Sequence, residues 1–190
     1  MGLTIPVAVN ISARQLKSDG VVEVIKDAIA QAGIEPQLLE IELTENTLIQ
    51  DIRASAGILA RLRDAGITIA LDDFGTGYSS LSNLQNLPLD ALKIHPSLLT
   101  DSENRSYGAG MLRGVVELAH TLGLRVIGEG VETQVQLDLL AELGCDELQG
   151  FFLGKPSFHA TNHDVIRSRP RNLAISRTSV LADQLSQVVH

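Results

Sequence analysis

The amino-acid sequence predicts an α/β protein built on parallel strands, either an open sheet or a (β/α) barrel. Two observations carry the prediction. Short apolar runs rich in β-branched residues alternate with segments of helical period, as βα units do. Within those runs the side chains also sort by parity, apolar on one face and ligand-type polar residues on the other.

Taken in order, the expected strands are Pro6–Ile11, Leu39–Leu43, Ile67–Leu71, Ala91–Ile94, Arg125–Gly128 and Glu147–Gly150. Helices are expected over Val21–Ala32, Ile52–Ala65, Gly108–Leu122 and Thr133–Leu143, several of them stopped by a glycine. Between the third and fourth strands there is room only for a brief helix near Leu81–Asn86, and Pro88 enforces an extended approach to the fourth. A short amphipathic helix is expected at Thr178–Val189.

Parity separates Val7, Val9 and Ile11 from Ala8 and Asn10, and Ile41 and Leu43 from Glu40, Glu42 and Thr44. Ile67, Ile69 and Leu71 oppose Thr68, Ala70 and Asp72, while Leu92 and Ile94 oppose Lys93 and His95. Leu148 opposes Glu147 and Gln149; the fifth strand is less clean, with Arg125, Ile127 and Glu129 together. Asn10, Glu42, Asp72, Lys93, His95, Glu129 and Gln149 thus gather near C-terminal strand ends, where ligands bind in such folds. Any one of them is explained as a satisfied polar residue at a strand end. The set as a whole is oxygen-rich and free of thiolate, which suits Mg²⁺ or Mn²⁺.

The segment ITIALDDFGTGYSSL, Ile67 to Leu81, is the pivot. Two adjacent carboxylates, Asp72 and Asp73, at about 4 Å and an effective dielectric of about 20 repel by roughly 4 kcal/mol. A hard divalent cation relieves that repulsion, although an acidic helix-capping turn in water would explain the pair by itself. Glu45 has the opposite parity to Glu42 and is expected as a solvated or capping carboxylate at a helix start.

Composition narrows the function. The 190 residues suffice for one domain with a real core, and a net charge of -8 leaves no basic footprint for a nucleic-acid polymer or an anionic membrane. Cys145 is the single cysteine, so no internal disulfide forms, and it is expected to pack in the core. No apolar run reaches membrane-spanning length, and Met1–Gly2 opens into a strand without a signal peptide, so a cytoplasmic location is expected. His159 and His163, four apart, are expected as plain surface rather than a metal pair.

At NISARQL from Asn10, EIELTEN around Glu42, DDFGTGYSSL from Asp72, LKI from Leu92, GEGVET from Gly128 and QGF from Gln149, the chain resembles the EAL-domain family of bacterial cyclic di-GMP phosphodiesterases. The resemblance runs from Val7 to about Pro156, in the family's order. It implies a (β/α) TIM-like barrel with one antiparallel strand, two divalent metals, and hydrolysis of one phosphodiester of cyclic di-GMP to linear pGpG. It implies Asn10, Glu42 and Asp72 as metal ligands, with Asp72 bridging, and Asp73 and Glu129 at the second metal. Lys93 matches the lysine that holds the attacking water, so Lys93, Glu129 and Asp73 are the implied catalytic set. Gln149 and Arg14 match substrate-binding positions, and Glu132 a glutamate that steadies the DDFG loop.

Three departures shape the expectation. The family's first two strands, with the Glu-Ala-Leu glutamate, are absent, so about six parallel strands of an incomplete barrel are expected. The family's KID reads Lys93-Ile94-His95, and His95 is expected as a ligand favouring a softer ion. Residues 157–190 form a divergent tail beyond a partial EAL domain at 1–156. Hydrolysis by this chain alone is therefore expected to be slow at best, and the alternative is an inactive module that binds cyclic di-GMP or docks a protein. Unpaired edges at Pro6–Ile11 and Glu147–Phe151 are expected to favour a homo-oligomer or a partner chain across the seam, unless Val180, Leu181, Leu185 and Val188 fold across it.

Overall fold

The computed structural model describes residues 6–18, 20–49, 52–76, 84–104, 108–154 and 174–175. The expected helix at Thr178–Val189, the histidines His159 and His163, half of the segment Leu81–Asn86 and the seam-covering tail residues lie wholly or partly outside them. The elements in order are β1 (Val7–Asn10), α1 (Ala13–Leu16), α2 (Val21–Ala32), β2 (Leu39–Thr44), α3 (Glu45–Ile49), α4 (Ile52–Asp64), β3 (Thr68–Phe74), β4 (Ala91–Ile94), α5 (Pro96–Asn104), α6 (Gly108–Thr121), β5 (Arg125–Gly128), α7 (Gln134–Glu142), β6 (Glu147–Leu148) and β7 (Ala174–Ile175). The chain divides into two compact units: β1, β2 and β3 as far as Asp72 belong to the first, and Asp73–Thr76 with Leu92–Ser176 to the second. Strand order follows chain order in each.

In the first unit β1, β2 and β3 pair in parallel, with Val7 opposite Leu39, Asn10 opposite Glu42, Ile41 opposite Ile69 and Thr44 opposite Asp72. The core beneath them is aliphatic: Leu16, Val22, Leu43, Leu59, Leu62, Ile67 and Ile69 are almost fully buried. Burying each such side chain contributes about 1.5–3 kcal/mol. In the second unit Leu92, Ile94, Leu99, Leu112, Val116, Ile127, Leu140 and Leu148 fill the corresponding role.

All six expected strands form, and β1, β2, β3 and β6 differ in extent from the expectation. β3 runs on through both aspartates to Phe74 instead of stopping at Leu71, and β6 is limited to Glu147–Leu148. The edge expected to be unpaired at Glu147–Phe151 is paired: β7 lies parallel to β6, with Ala174 opposite Glu147 and Ile175 opposite Leu148. That partner comes from the divergent tail, whose sequence carries no strong strand pattern.

Three short helices were not expected. Helix α1 begins with a capping box in which Ser12 accepts from the Gln15 N–H and Gln15 Oε1 accepts from the Ser12 N–H. Helix α3 follows β2 with no intervening loop, and α5 opens with Pro96 at its first position. Helix α7 uses a second capping box, Thr133 with Gln136.

One device recurs in both units. After α4, the Gly66 N–H bonds Arg63 O and the Ile67 N–H bonds Leu62 O; after α6, Gly123 bonds His120 O and Leu124 bonds Ala119 O. Both glycines take left-handed φ, 88° and 75°, as this helix stop requires. Three residues beyond each glycine, a strand N–H donates to an aspartate that precedes the next strand: Ile69 to Asp90 Oδ2 at 2.9 Å and Val126 to Asp146 Oδ2 at 2.7 Å. Each aspartate N–H returns a bond to the same strand residue, at 2.8 Å on Ile69 O and 2.9 Å on Val126 O. A basic residue three before the glycine completes each clamp, Arg63 Nε at 3.0 Å from Asp90 Oδ1 and His120 Nε2 at 2.9 Å from Asp146 Oδ2.

Next to the second clamp, Cys145 is buried as expected. Burial, and secondarily the Asp146 charge, push its thiol up to about 12, so it stays neutral and packs as an apolar residue. The clamps generate a prediction. Asp90→Ala leaves the Ile69 N–H without its acceptor and is expected to cost about 1–3 kcal/mol in urea unfolding. Asp90→Asn keeps an acceptor oxygen and loses only a half-exposed ion pair, so it is expected to cost about 1 kcal/mol or less.

Candidate active site

In the first unit, register brings Asn10 beside Glu42 at the C-terminal ends of β1 and β2. Asn10 Nδ2 donates to Glu42 Oε2 at 3.2 Å. Glu42 is only 4 % exposed, in a strand whose residues are buried on both faces up to Leu43. Asp72 lies one strand further on, opposite Thr44 and half-buried. Two carboxylates and an amide oxygen at neighbouring strand ends make an all-oxygen donor set, the kind a hard divalent ion takes.

The second unit begins at Asp73, whose φ of 58° is left-handed; among the described residues no other non-glycine residue adopts a positive φ. Aspartate tolerates this region better than most residues, at a cost of order 1–3 kcal/mol, and such conformations cluster at functional sites. Lys93 extends from the middle of β4 into the interior. Its Nζ lies 2.7 Å from Glu129 Oε1, with side chains 4 % and 17 % exposed. The pairing follows from the backbone, because the Glu129 N–H donates to Ile94 O and sets the end of β5 beside the end of β4.

His95 follows β4, with its Nε2 3.9 Å from Asp73 Oδ1 and its Nδ1 turned toward Ser97. Gln149 is half-buried after β6, donating from its N–H to Gly128 O and accepting from the Val131 N–H. The next residue must be glycine: a Cβ on Gly150 would stand 2.2 Å from Val131 N and O. That close approach holds the Gln149 loop against the loop after β5.

Two candidates lie differently from the rest. Arg14 is exposed on α1, and Glu132 is exposed, its backbone N–H held by Gln136 Oε1 at 2.8 Å. Glu45 corrects an expectation, for it is 4 % exposed rather than solvated. Neither of its carboxylate oxygens has a hydrogen-bond partner among the described residues. Its spacing of three from the buried Glu42 was the available signal, but parity stopped applying where β2 turns directly into α3. A buried carboxylate without a hydrogen-bond partner is costly, which sets Glu45 apart from an ordinary helix-start carboxylate.

Parallel strands in chain order, with acidic and amide residues near their C-terminal ends and a buried lysine–glutamate pair, define an α/β protein of the (β/α)-barrel class. The chain belongs to the EAL-domain family, whose profile matches residues 2–156. It is 43% identical over 155 residues to the signaling protein YkoW of Bacillus subtilis, a match covering 82% of this chain and 19% of that protein. It is also 43% identical over 150 residues to the bifunctional diguanylate cyclase/cyclic di-GMP phosphodiesterase MucR of Pseudomonas aeruginosa, covering 79% of this chain and 22% of MucR. The chain thus spans about a fifth of the length of these relatives.

Among solved structures, the MucR phosphodiesterase in complex with c-di-GMP superposes with a TM-score of 0.75 at 42% identity, covering 79% of this chain and 61% of that one. The manganese/cy-diGMP complex of Klebsiella pneumoniae BlrP1 superposes with a TM-score of 0.73 at 31% identity, covering 79% of this chain and 38% of that one. The chain therefore has the fold of EAL (β/α) barrels over the part it covers.

The buried pair supplies a test. Glu129→Gln removes the negative partner of a desolvated ammonium and is expected to cost about 3 kcal/mol in urea unfolding. Combining it with Lys93→Met removes both charges and should recover most of that loss. A double-mutant cycle on the four proteins checks this.

Proposed function

We propose that this chain is a cyclic di-GMP phosphodiesterase domain that hydrolyses one phosphodiester of the cyclic dinucleotide to linear pGpG. The observation that carries the reading is the family match over residues 2–156, together with retention of Asn10, Glu42, Asp72, Asp73, Lys93, Glu129 and Gln149 at strand ends. Relatives named as cyclic di-GMP phosphodiesterases, and solved complexes with the dinucleotide, support the substrate.

Asn10, Glu42 and Asp72 would hold one divalent ion, Mg²⁺ or Mn²⁺, and Asp73 with Glu129 would serve a second. Bound divalent ions lower the pKa of water and neutralise charge on phosphoryl oxygens. The protein's own groups do the rest. Lys93 donates to the attacking water and to the charge that grows as the P–O ester bond breaks, and Glu129 keeps the ammonium in place. Glu129 and Asp73 are the acceptors available for the proton that the water loses. Gln149 and Arg14 donate to the substrate, and Glu132 steadies the DDFG loop. In this reading His95, standing where the resemblance expects an acidic residue, lowers the rate. A cytoplasmic setting accords with a lone cysteine that is buried and a described structure with no helix long and apolar enough to cross a membrane.

The test is hydrolysis of cyclic di-GMP by the full chain, with product followed chromatographically in Mg²⁺ and in Mn²⁺. Slow, metal-dependent formation of pGpG is expected. Asp72→Asn or Lys93→Ala is expected to reduce it by at least about a hundredfold. Product formation that survives both substitutions, or that needs no metal, contradicts the assignment. Tight binding of cyclic di-GMP without turnover would instead identify a binding module.

A further inference from the structure

We propose that His95 is a positioning residue that caps α5 and presents an N–H edge to Asp73, and that it is not a ligand of the second metal. The inference rests on the phosphodiesterase reading, but only for its consequence; the geometry of the ring stands independently.

Helix α5 opens with Pro96, which has no N–H, so the first backbone donor needing a partner is that of Ser97. That N–H donates to His95 Nδ1 at 3.1 Å, and Ser97 Oγ lies 2.9 Å from the same nitrogen. The Leu98 N–H donates to His95 O at 3.1 Å. His95 therefore occupies the cap position, with its imidazole doing what an aspartate or asparagine side chain commonly does there. A ring nitrogen that accepts from a backbone N–H uses its lone pair for that bond, so the ring proton resides on Nε2.

Nε2 is the atom 3.9 Å from Asp73 Oδ1. The distance exceeds a hydrogen bond, yet it sets a positive ring edge before the carboxylate. Ligation through Nε2 requires a lone pair there, with the proton moved to Nδ1 and donated to an acceptor, as metal-bound histidines do. The Ser97 N–H already points at Nδ1, so a proton moved there would displace that bond and turn to Ser97 Oγ, at the cost of the cap. Ligation through Nδ1 would strip the cap. The ring thus keeps the capping role open to an aspartate at this position and gives up that residue's negative charge. The second metal position has one anionic ligand fewer than a KID motif supplies, and it gains no preference for softer ions.

The experiment is ¹⁵N-resolved NMR of the imidazole rings in the full chain, with His95→Gln used to assign the signal. Without metal, the His95 ring is expected as the Nε2–H tautomer, and Zn²⁺ added to saturation should leave that N–H correlation in place. In parallel calorimetry, His95→Asn keeps a capping oxygen and should leave the ratio of Mn²⁺ to Mg²⁺ affinity within about twofold. His95→Asp, which adds a carboxylate, should strengthen both ions by about tenfold or more. An Nδ1–H tautomer, loss of the Nε2–H signal as Zn²⁺ binds, or a Mn²⁺ preference that collapses in His95→Asn overturns the proposal. If no variant binds divalent metal, the phosphodiesterase reading fails while the metal-free ring spectrum still decides the role of His95.

Discussion

Parallel pairing in register is the constraint from which the rest of the structure follows. A parallel ladder points every strand the same way, so residues one position from each C-terminal end become neighbours. In the first unit this sets Asn10 beside Glu42 and Thr44 beside Asp72. A slip by one residue would exchange the faces and put Val9 or Leu43 where the donors stand. The clamps set where the chain enters against β3 and against β5, because Asp90 and Asp146 each bond both the N–H and the C=O of one chosen residue on the preceding strand.

Gathering acids has an electrostatic cost in a chain of net charge -8. The two units meet it differently. Glu42 is buried and accepts from the Asn10 amide. Glu129 has its cation supplied by the fold, in Lys93, on a short and dry path where the attraction is weakly screened. Asp73 carries strained backbone and faces a histidine edge.

Much of this was legible in the sequence. Strand–helix alternation and two-residue parity located all six expected strands and put Asn10, Glu42, Asp72, Lys93 and Glu129 near C-terminal strand ends. Period-2 patterns report a half-buried strand directly, so that part of the reading was physically well posed. What escaped depended on tertiary context. β7 is two residues long and forms because β6 offers an edge, helices α1 and α3 are too short for a 3.6-residue period to register, and α5, as long as the expected α7, went unread. Ser12 with Gln15 and Pro96 after His95 were capping signals that could have marked two of those helices. Glu45 was misjudged because parity stops applying at a strand-to-helix junction. Which ring nitrogen of His95 faces Ser97 is likewise recorded by no sequence pattern.

The central claim is that the carboxylates at these strand ends form a divalent-cation site. Thermal unfolding of the full chain across a series of Mg²⁺ or Mn²⁺ concentrations tests it most directly, because an ion bound only by the folded state adds stability as RT ln(1 + [L]/Kd), about 2.7 kcal/mol at a hundred times Kd. The account predicts a melting temperature that climbs with metal in the native protein and stays nearly flat in Asp72→Asn. A native protein indifferent to both metals, or an Asp72→Asn variant that is stabilised equally, would contradict it.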